Sequence, residues 1–416
     1  MGHRICLIVM MLMSVGVCAQ DQLLKNATLV SGAKGQGVIR DVHIVAGRIA
    51  AIGEDLKVDR GTDVLDLAGA LVTPGFIDSA TTIGLAEVSG LGISQDAEVS
   101  DVNLAAGFQV ALALNDASLL IPVASNDGIT RGVIVPQPGD SNFAGQSALV
   151  RFQREGTFAV TGALAQHVYL RERDRRYGGG SRASVLASVL HALEESARFD
   201  QRREDYDRRK VRAFDLPAAD LIALSAVRQG KVPLVAHVDR AADIEQLIQA
   251  MAAYPKIRLV LAGAAEAWKV ADKLAERDIP VLINVMDNLP GSFDRLGARL
   301  DQAALLDAAG IRFAFMSESP FTEFRSLSQA AGVAVAYGLP WDKALAAITR
   351  WPAEIWGLEG LGAIAVGSIA DLVVWSGDPL EVVSTPTAVM IDGAWISLST
   401  RQGLLAERYR DLLKLK

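Results

Sequence analysis

Hydrophobic and polar positions alternate at both ends of the chain, in a pattern typical of short β-strands. Near the N-terminus, alternation and turn glycines predict strands at Ala27–Val30, Val38–Val45, Arg48–Ile52 and Asp63–Leu67. Ala46-Gly47 and, near the C-terminus, Asp392-Gly393 each lie between apolar runs and predict hairpin turns. Two such β segments at opposite ends of a chain most simply pair into one small sheet domain.

Buried strands alternate with helices in the middle of the chain. Strands are predicted at 231–238, 257–263, 279–285 and 311–317, and helices over Ala241–Ala253, Glu266–Arg277 and Gln302–Ala309. Such repeats are typical of a parallel sheet covered by helices. Room for about eight units favours a closed barrel over an open doubly wound sheet, which the pattern also allows. The predicted fold class is α/β, a TIM-like (β/α)8 barrel with a small composite β-sandwich domain built from both termini.

Domain boundaries follow from these patterns. The composite β-sandwich is assigned to 20–72 plus 360–400, the barrel to 73–359 and a C-terminal helix to 401–416. Within the barrel region, the charged stretch 181–210 is predicted as a helical insertion, because its apolar residues recur at helical spacing.

The first residues have the form of a signal peptide. Met1–Arg4 carries positive charge, and Ile5–Val17 is a largely apolar run that is short for a membrane span. Cleavage is expected after Ala19, which predicts a periplasmic mature protein. Cys18 leaves open a lipoprotein, although Val17 stands where a lipobox usually has Gly or Ala.

Composition argues against several kinds of partner and cross-link. The formal net charge is −7, which offers no basic surface for nucleic acid. Both cysteines, Cys6 and Cys18, lie in the leader, so no disulfide or Cys-ligated metal is expected in the mature chain. No transmembrane segment is expected there either, because no later apolar run of membrane length is free of charge and glycine.

Several motifs resemble one family along 27–397. They are "VTPGFID" (72–78), "VPLVAHVDRAADI" (232–244), "AGAAEAWKVADKLAERDIPVLI" (262–283) and the segment 334–381, which contains "GSIADLVVW". The chain resembles the amidohydrolase superfamily, in particular its imidazolonepropionase-like periplasmic branch. The resemblance implies a hydrolase with a TIM-like barrel, in which a metal-activated water attacks an amide, imide or related non-peptide C–N bond.

The metal ligands implied by the resemblance are mostly missing. The family usually has His-x-His after strand one, a His on each of strands five and six, and an Asp on strand eight. The strand-one pair falls at Ala80 and Thr82, and Gly263 stands near the strand-six position. His237 is retained on strand five, and Glu318 stands where strand eight usually has Asp.

The other histidines do not replace these ligands. His43 is predicted in a hairpin of the terminal sheet, His191 on the charged helix, and His167 in a helix or loop. Binuclear relatives add a Lys or Glu on strand four, but "ITRGVIVPQPG" offers only Arg131. A His-rich binuclear centre is therefore not expected.

Glu318 and His237 are the two candidates for chemistry. Glu318 is the candidate catalytic residue, as a proton shuttle, with pairing to an arginine such as Arg325 as the alternative. His237 is the candidate metal ligand or general base, and the favoured alternative is a relic histidine that only makes hydrogen bonds.

Three further residues are candidates for substrate binding. Asp239 and Arg240 follow His237 closely, although they could instead pair with each other or with neighbours. Asn288 follows strand seven, where loops of a barrel carry binding groups, with a turn as the alternative.

Two functions remain open on these residues. One is a hydrolase of C–N bonds with a degenerate metal site and weak or no metal-dependent activity. Such a hydrolase would use either no cofactor or a single divalent metal such as zinc. The other is a non-catalytic protein that binds a small molecule or supports a metal-complete amidohydrolase partner. A homo- or hetero-oligomer is expected in either case.

Overall fold

The computed structural model describes residues 21–30, 36–88, 91–101, 103–153, 162–287, 289–318 and 326–414. The predicted leader, Asn288 and Arg325 lie outside these residues, so the structure does not test what was expected of them.

Sixteen strands and eleven α-helices are formed in the described residues. The strands are β1 Gln22–Val30, β2 Gly37–Val45, β3 Arg48–Gly53, β4 Asp63–Asp66, β5 Leu71–Pro74, β6 Phe76–Thr81, β7 Ile129–Ile134, β8 Phe143–Arg151, β9 Ala165–Tyr169, β10 Leu234–Val238, β11 Leu259–Gly263, β12 Val281–Ile283, β13 Phe313–Phe315, β14 Leu372–Trp375, β15 Pro386–Ile391 and β16 Ala394–Trp395. The helices are α1 Leu120–Asn126, α2 Arg182–Gln201, α3 Arg203–Asp207, α4 Ala218–Arg228, α5 Ala241–Met251, α6 Ala271–Glu276, α7 Gln302–Ala308, α8 Leu327–Ala336, α9 Trp341–Ala346, α10 Arg350–Trp356 and α11 Arg401–Lys414.

Eight strands, β6 to β13, form the barrel sheet in sequence order. The predicted α/β fold class is confirmed, with one difference in strand direction. β8 runs antiparallel to both β7 and β9, whereas the remaining neighbours are parallel. Residues 135–142 between β7 and β8 are too few for the helical crossover that a parallel pair requires, so β8 returns alongside its neighbour.

The first and last barrel strands meet through a few polar contacts. The Glu318 N–H donates to the Ala80 carbonyl at 2.8 Å. Ser317 donates from its backbone N–H and its hydroxyl to the two carboxylate oxygens of Asp78, at 3.0 and 2.5 Å. These bonds bring the end of β13 against the end of β6 and set the position of Glu318.

The second sheet combines both ends of the chain. Its strand order is β16-β15-β14-β5-β1-β2-β3, with β4 beside β1, and β14 pairs antiparallel with β5. Arg131 of β7 ties this sheet to the barrel, because its guanidinium donates to Asp371 at 2.7 Å and also to Asp392. Arg131 therefore serves the junction between the two sheets and is not the strand-four residue, since β7 is the second barrel strand.

Apolar side chains pack against both faces of the barrel strands, in two layers. One lies inside the barrel and includes Trp356 and Leu358; the other lies between the strands and the helices. α2, predicted as part of an insertion, buries Val185, Val189 and Leu193 in that outer layer, in the connection between β9 and β10. Among the described helices, none combines the length and apolarity needed to cross a bilayer.

Candidate functional site

Two buried histidines lie side by side on adjacent barrel strands. The prediction of a helix or loop around His167 was wrong, because residues 165–169 form β9, which pairs parallel with β10. His167 and His237 are fully buried, and His167 Nδ1 lies 3.0 Å from His237 Nε2. The structure thus gives His237 a histidine partner inside the barrel that the sequence reading did not identify.

The hydrogen bonds of this pair determine which lone pairs remain. His237 Nδ1 faces Glu318 Oε1 at 4.0 Å and makes no hydrogen bond among the described residues. Placing a proton on His237 Nδ1 directs an N–H toward the carboxylate, and Nε2 then accepts from His167. In this tautomer, assigned from the network, His237 has no free lone pair for a ligand at the mouth.

Burial keeps both imidazoles neutral. Loss of solvent lowers the pKa of His167 to about 3. Burial, and after it the positive charge of Arg171, holds the pKa of His237 well below its usual value. Tyr169 covers His237 with its ring at a centroid distance of 3.9 Å and an angle of 7°, and donates its hydroxyl proton to the Pro136 carbonyl. The Tyr169 ring therefore covers one face of the His237 imidazole.

Arg171 spans the centre of the barrel mouth. It follows β9, and Asp174 holds its backbone N–H at 2.9 Å. Its guanidinium donates to Glu318 Oε1 at 2.8 Å, and its Nε lies 3.4 Å from Asp239 Oδ2. Burial alone would lower the pKa of Arg171, but Glu318 and Asp239 raise it above its usual value. The guanidinium is therefore a permanent cation between two carboxylates.

The same contact keeps Glu318 ionised. Burial would raise the pKa of the Glu318 carboxyl, but the charge and hydrogen bond of Arg171 outweigh burial and lower it. Glu318 also has a positive φ of 55°, an uncommon backbone conformation for a non-glycine residue, and the preceding residue, Ser317, is fixed to Asp78. Glu318 is thus held firmly in its ion pair.

Gly263 leaves room for the arginine. It ends β11 with φ at +81°, and a Cβ atom there would lie 2.7 Å from Arg171 Nη2 and 2.6 Å from Asp239 Oδ1. Contacts this short do not occur between real Cβ atoms and their neighbours. A side chain at the strand-six position is therefore incompatible with the observed place of the guanidinium.

These residues do not fit the metal that the resemblance implies. Ala80, Thr82 and Gly263 offer no suitable ligand, while Glu318 and Asp239 are held by Arg171. Catalytic zinc usually takes three protein ligands with lone pairs directed at one point. A metal between the strand ends would have to displace a paired guanidinium.

Among the described residues, the one group of three His, Asp or Glu side chains with metal-like spacing lies elsewhere. It consists of His191 and Glu195 on α2 with Asp215, whose candidate ligand atoms all lie within 4.8 Å of one another. Glu195 already accepts hydrogen bonds from the backbone N–H groups of Asp215 and Leu216. This surface group is separate from the mouth and serves as a control in measurements of metal at the mouth.

A polar cavity of about 640 Å³ opens above Arg171. Its wall carries both charge signs and is formed by Gln137, Arg171, Glu172, Arg173, Asp239, Asn284, Asp287, Gly291, Ser292, Asp294, Arg295, Ser317 and Glu318. Of the predicted binding residues, Asp239 lies on this wall. Arg240 instead pairs with Asp243 at the start of α5, through Nε at 2.9 Å. The structure thus brings together Glu318, Asp239 and, beneath them, His237.

Sequence reasoning missed His167, Tyr169 and Arg171. They occur at every second position, which places side chains on one face of a strand. Alternation in "AQHVYLRER" was the available signal for a strand whose polar face points into the barrel. No local signal showed that Arg171 pairs with Glu318, since 147 positions separate them.

Curated relatives support the family assignment. Amidohydrolase tasK of Hapsidospora irregularis is 24% identical over 85% of this chain, which spans only 39% of that protein. The imidazolonepropionase of Acidiphilium cryptum is 26% identical, covering 87% of this chain and 94% of the relative. For the adenine deaminase of Deinococcus radiodurans, identity is 25%, covering 85% of this chain and 58% of the relative.

A solved structure gives the same answer for the fold. An amidohydrolase from Thermotoga maritima superposes with a TM-score of 0.81 at 25% identity, covering 90% of this chain and 99% of that one. Residues 188–397, half of the chain, match the Amidohydrolase family. The chain belongs to the amidohydrolase family.

Proposed function

We propose that this amidohydrolase-family protein binds a small polar molecule in the mouth cavity and has weak or no metal-dependent activity on C–N bonds. The observation that carries the proposal is the Arg171 guanidinium, which lies against Gly263 and pairs with Glu318 and Asp239. Arginine is protonated at any physiological pH. A permanent cation therefore occupies the place where metal-dependent hydrolysis needs a metal and its activated water.

The cavity indicates the class of ligand. Its volume of about 640 Å³ suits a small molecule. Arg173 supplies donors and Glu172 supplies acceptors, while Arg295 and Asp287 add a pair of opposite charges that bind each other at 2.6 Å. A polar ligand that both donates and accepts hydrogen bonds, such as a cyclic amide, a cyclic imide or an amino-acid derivative, matches a wall of mixed charge.

Metal-independent hydrolysis is the weaker alternative. Glu318 would have to take a proton from water, but the lowered pKa of this carboxyl makes it a weak base. His237 is neutral, yet its one unpaired nitrogen carries a proton in the tautomer favoured by the network. Neither group is thus prepared for general base catalysis.

Metal content tests the first half of the proposal. Elemental mass spectrometry is applied to the chain from Gln20 onward, beside His237→Ala and His191→Ala. We expect no stoichiometric metal, or a metal that disappears only with His191→Ala and therefore belongs to the α2 group. About one metal ion per chain that is lost with His237→Ala, as expected of a mononuclear catalytic site, would overturn the proposal.

Ligand binding tests the second half. Thermal unfolding is followed with a panel of cyclic amides, cyclic imides and dipeptides, and each ligand that raises Tm is repeated with Arg173→Gln. Arg173 lines the cavity with a side chain that is 61% exposed, and Arg203→Gln, on exposed α3, is the matched control. A Tm increase abolished by Arg173→Gln alone supports the site, whereas one unchanged in both variants places binding elsewhere.

Export to the periplasm, oligomer formation and support of a metal-complete partner remain predictions. Co-purification with a tagged, metal-complete relative from the same cells would test the last of these. The mouth proposal does not depend on its outcome.

A further inference from the structure

We propose that His191, Glu195 and Asp215 form a zinc site on the helical surface of the protein, where α2 meets the segment that precedes α4. The inference goes beyond the proposed function, because none of these residues lines the mouth cavity. The candidate ligand atoms of the three side chains all lie within 4.8 Å of one another. One imidazole nitrogen and two carboxylate oxygens are a ligand set that zinc accepts, with water in the fourth position.

The spacing of His191 and Glu195 places both side chains on one face of α2. They are four residues apart, so they lie one above the other on the helix surface. This is the spacing at which a helix can offer two side chains to one metal ion. The third ligand comes from Asp215, 20 residues after Glu195, and its Oδ2 lies 3.4 Å from His191 Nε2. The fold thus adds a carboxylate to the pair that the helix already presents.

Hydrogen bonds to the backbone hold Glu195 in the position that the site requires. Glu195 is 4% exposed, and its two carboxylate oxygens accept from the backbone N–H groups of Asp215 and Leu216 at 2.8 and 3.0 Å. Each carboxylate oxygen has a second lone pair, which stays available for a metal ion. Hydrogen bonds of this kind orient the carboxylates that bind metals. The segment that carries Asp215 is therefore attached to α2 at the site itself.

The charge of the two carboxylates is not balanced by the protein's fixed cations. Among the described residues, neither Glu195 nor Asp215 forms an ion pair with a lysine or an arginine, and His191 is the group that faces Asp215. Buried charges in proteins are usually paired or coordinate a metal. A divalent cation would balance both carboxylates. The imidazole favours zinc over Mg²⁺ and Ca²⁺, which prefer oxygen ligands.

Little movement is needed to bring the ligands around one ion. Tetrahedral zinc with bonds of about 2.0–2.2 Å places its ligand atoms about 3.4 Å apart. His191 and Asp215 already have this separation, and the Asp215 side chain is 80% exposed, so it can adjust without disturbing the core. The His191 side chain is 49% exposed, which leaves its ring nitrogen accessible to an ion from solvent.

Isothermal titration and thermal unfolding with Zn²⁺ and with Ca²⁺ test the site in the chain from Gln20 onward. We expect one Zn²⁺ per chain and a higher Tm with Zn²⁺, because a ligand that binds the folded state stabilises it. His191→Ala and Asp215→Asn should each weaken zinc binding at least tenfold and abolish the increase in Tm. Glu194→Gln is the matched control, since it removes a carboxylate from an exposed position of α2 outside the group, and it should bind zinc like the wild-type chain.

Three results would overturn the inference. They are a wild-type chain that binds no stoichiometric zinc, zinc binding that is equal in the wild-type chain and His191→Ala, and Ca²⁺ bound as tightly as Zn²⁺, which would leave no role for the imidazole. His237→Ala separates this inference from the proposed function. Zinc that is retained in His191→Ala and lost with His237→Ala belongs to the mouth, and would overturn the metal-free proposal as well.

Discussion

Two arginines of this protein bind two carboxylates each, yet their surroundings differ. Arg131 joins the barrel to the terminal sheet, and its side chain and that of Asp371 are 4% and 5% exposed. Arg171 joins the ends of three barrel strands, at the floor of an open cavity, with its side chain 13% exposed and that of Glu318 21% exposed. Similar ion pairs therefore occur at a junction between two sheets, where the second carboxylate, Asp392, is 33% exposed, and at the floor of a cavity.

Arg131 stabilises the contact between the two sheets, whereas Arg171 determines which groups are available in the mouth cavity. At the junction, Asp392 also donates its backbone N–H to Asp371 and accepts a hydrogen bond from Arg151, so Arg131 is one member of a network of four charged residues. At the mouth, the carboxylates border a cavity, and the arginine stands beside a glycine that leaves it room. Removing the first arginine should cost stability only, whereas removing the second should also change what the protein binds.

The junction should give the larger loss of stability. Arg131→Met leaves Asp371 buried without its cation, and breaking a buried pair in this way costs about 3–5 kcal/mol of unfolding free energy. Chemical denaturation measures the loss. Arg40→Met is the control, because Arg40 pairs with the exposed Glu54, and the expected loss is below about 1 kcal/mol. Equal small losses in both variants would remove the structural role given to Arg131.

The mouth should give a smaller loss of stability. With a chelator present, Arg171→Met should lower the unfolding free energy by about 1–3 kcal/mol, since partial exposure of the pair screens the uncompensated charge. Chemical denaturation of Arg171→Met and Arg131→Met under the same conditions measures the difference. Equal losses in both variants would contradict the distinction between the two arginines.

The histidine pair beneath Arg171 should make stability pH-dependent. The pKa of His167 is lowered in the folded protein, so the unfolded chain binds the proton first and stability falls as pH drops below about 6.5 toward 3. Between pH 7.5 and 5.5 the loss from His167 should be about 1.4 kcal/mol. Denaturation at both pH values should show a smaller loss of stability in His167→Asn than in the wild-type chain. If His167→Asn leaves the dependence of unfolding free energy on pH unchanged, the histidine pair is not buried and neutral as described.

The glycine beside the guanidinium should give the smallest effect. Gly263→Ala places a Cβ against Arg171 and Asp239 at a positive φ, and should lower the free energy of unfolding by about 1 kcal/mol. In an Arg171→Ala background the cost should fall, because one of the two close contacts is gone. A double-mutant cycle measures this coupling. Equal costs in both backgrounds would show that Arg171 does not occupy the space beside Gly263.

The sequence predicted the architecture well, because the spacing of apolar residues and the length of each apolar run reflect which positions are buried. The strand–helix alternation from 231 to 317 predicted β10 to β13, and the two hairpin turns predicted the terminal sheet. The reversed direction of β8 was missed, because the patterns identified strands more readily than their pairing. The sequence also showed that most of the family's histidine ligands are missing, because this depends on residue type alone.

The chemistry of the mouth could be predicted only in part. Gly263 was recognised as a missing ligand, but a sequence does not show which distant side chain fills the vacated space. Arg171 and Glu318 meet only because the barrel brings the ends of its strands to one edge. Long-range pairs of this kind depend on the closed fold, which explains why a metal ligand was considered at His237 while its histidine partner was overlooked.

A crystal structure of the wild-type chain grown with Zn²⁺, with anomalous data at the zinc edge, would show what occupies the mouth. We expect the Arg171 guanidinium between Glu318 and Asp239, with no anomalous peak beside His237. A zinc peak within about 2.0–2.2 Å of a His237 ring nitrogen, with Arg171 turned away, would contradict it and restore a metal-dependent amidohydrolase.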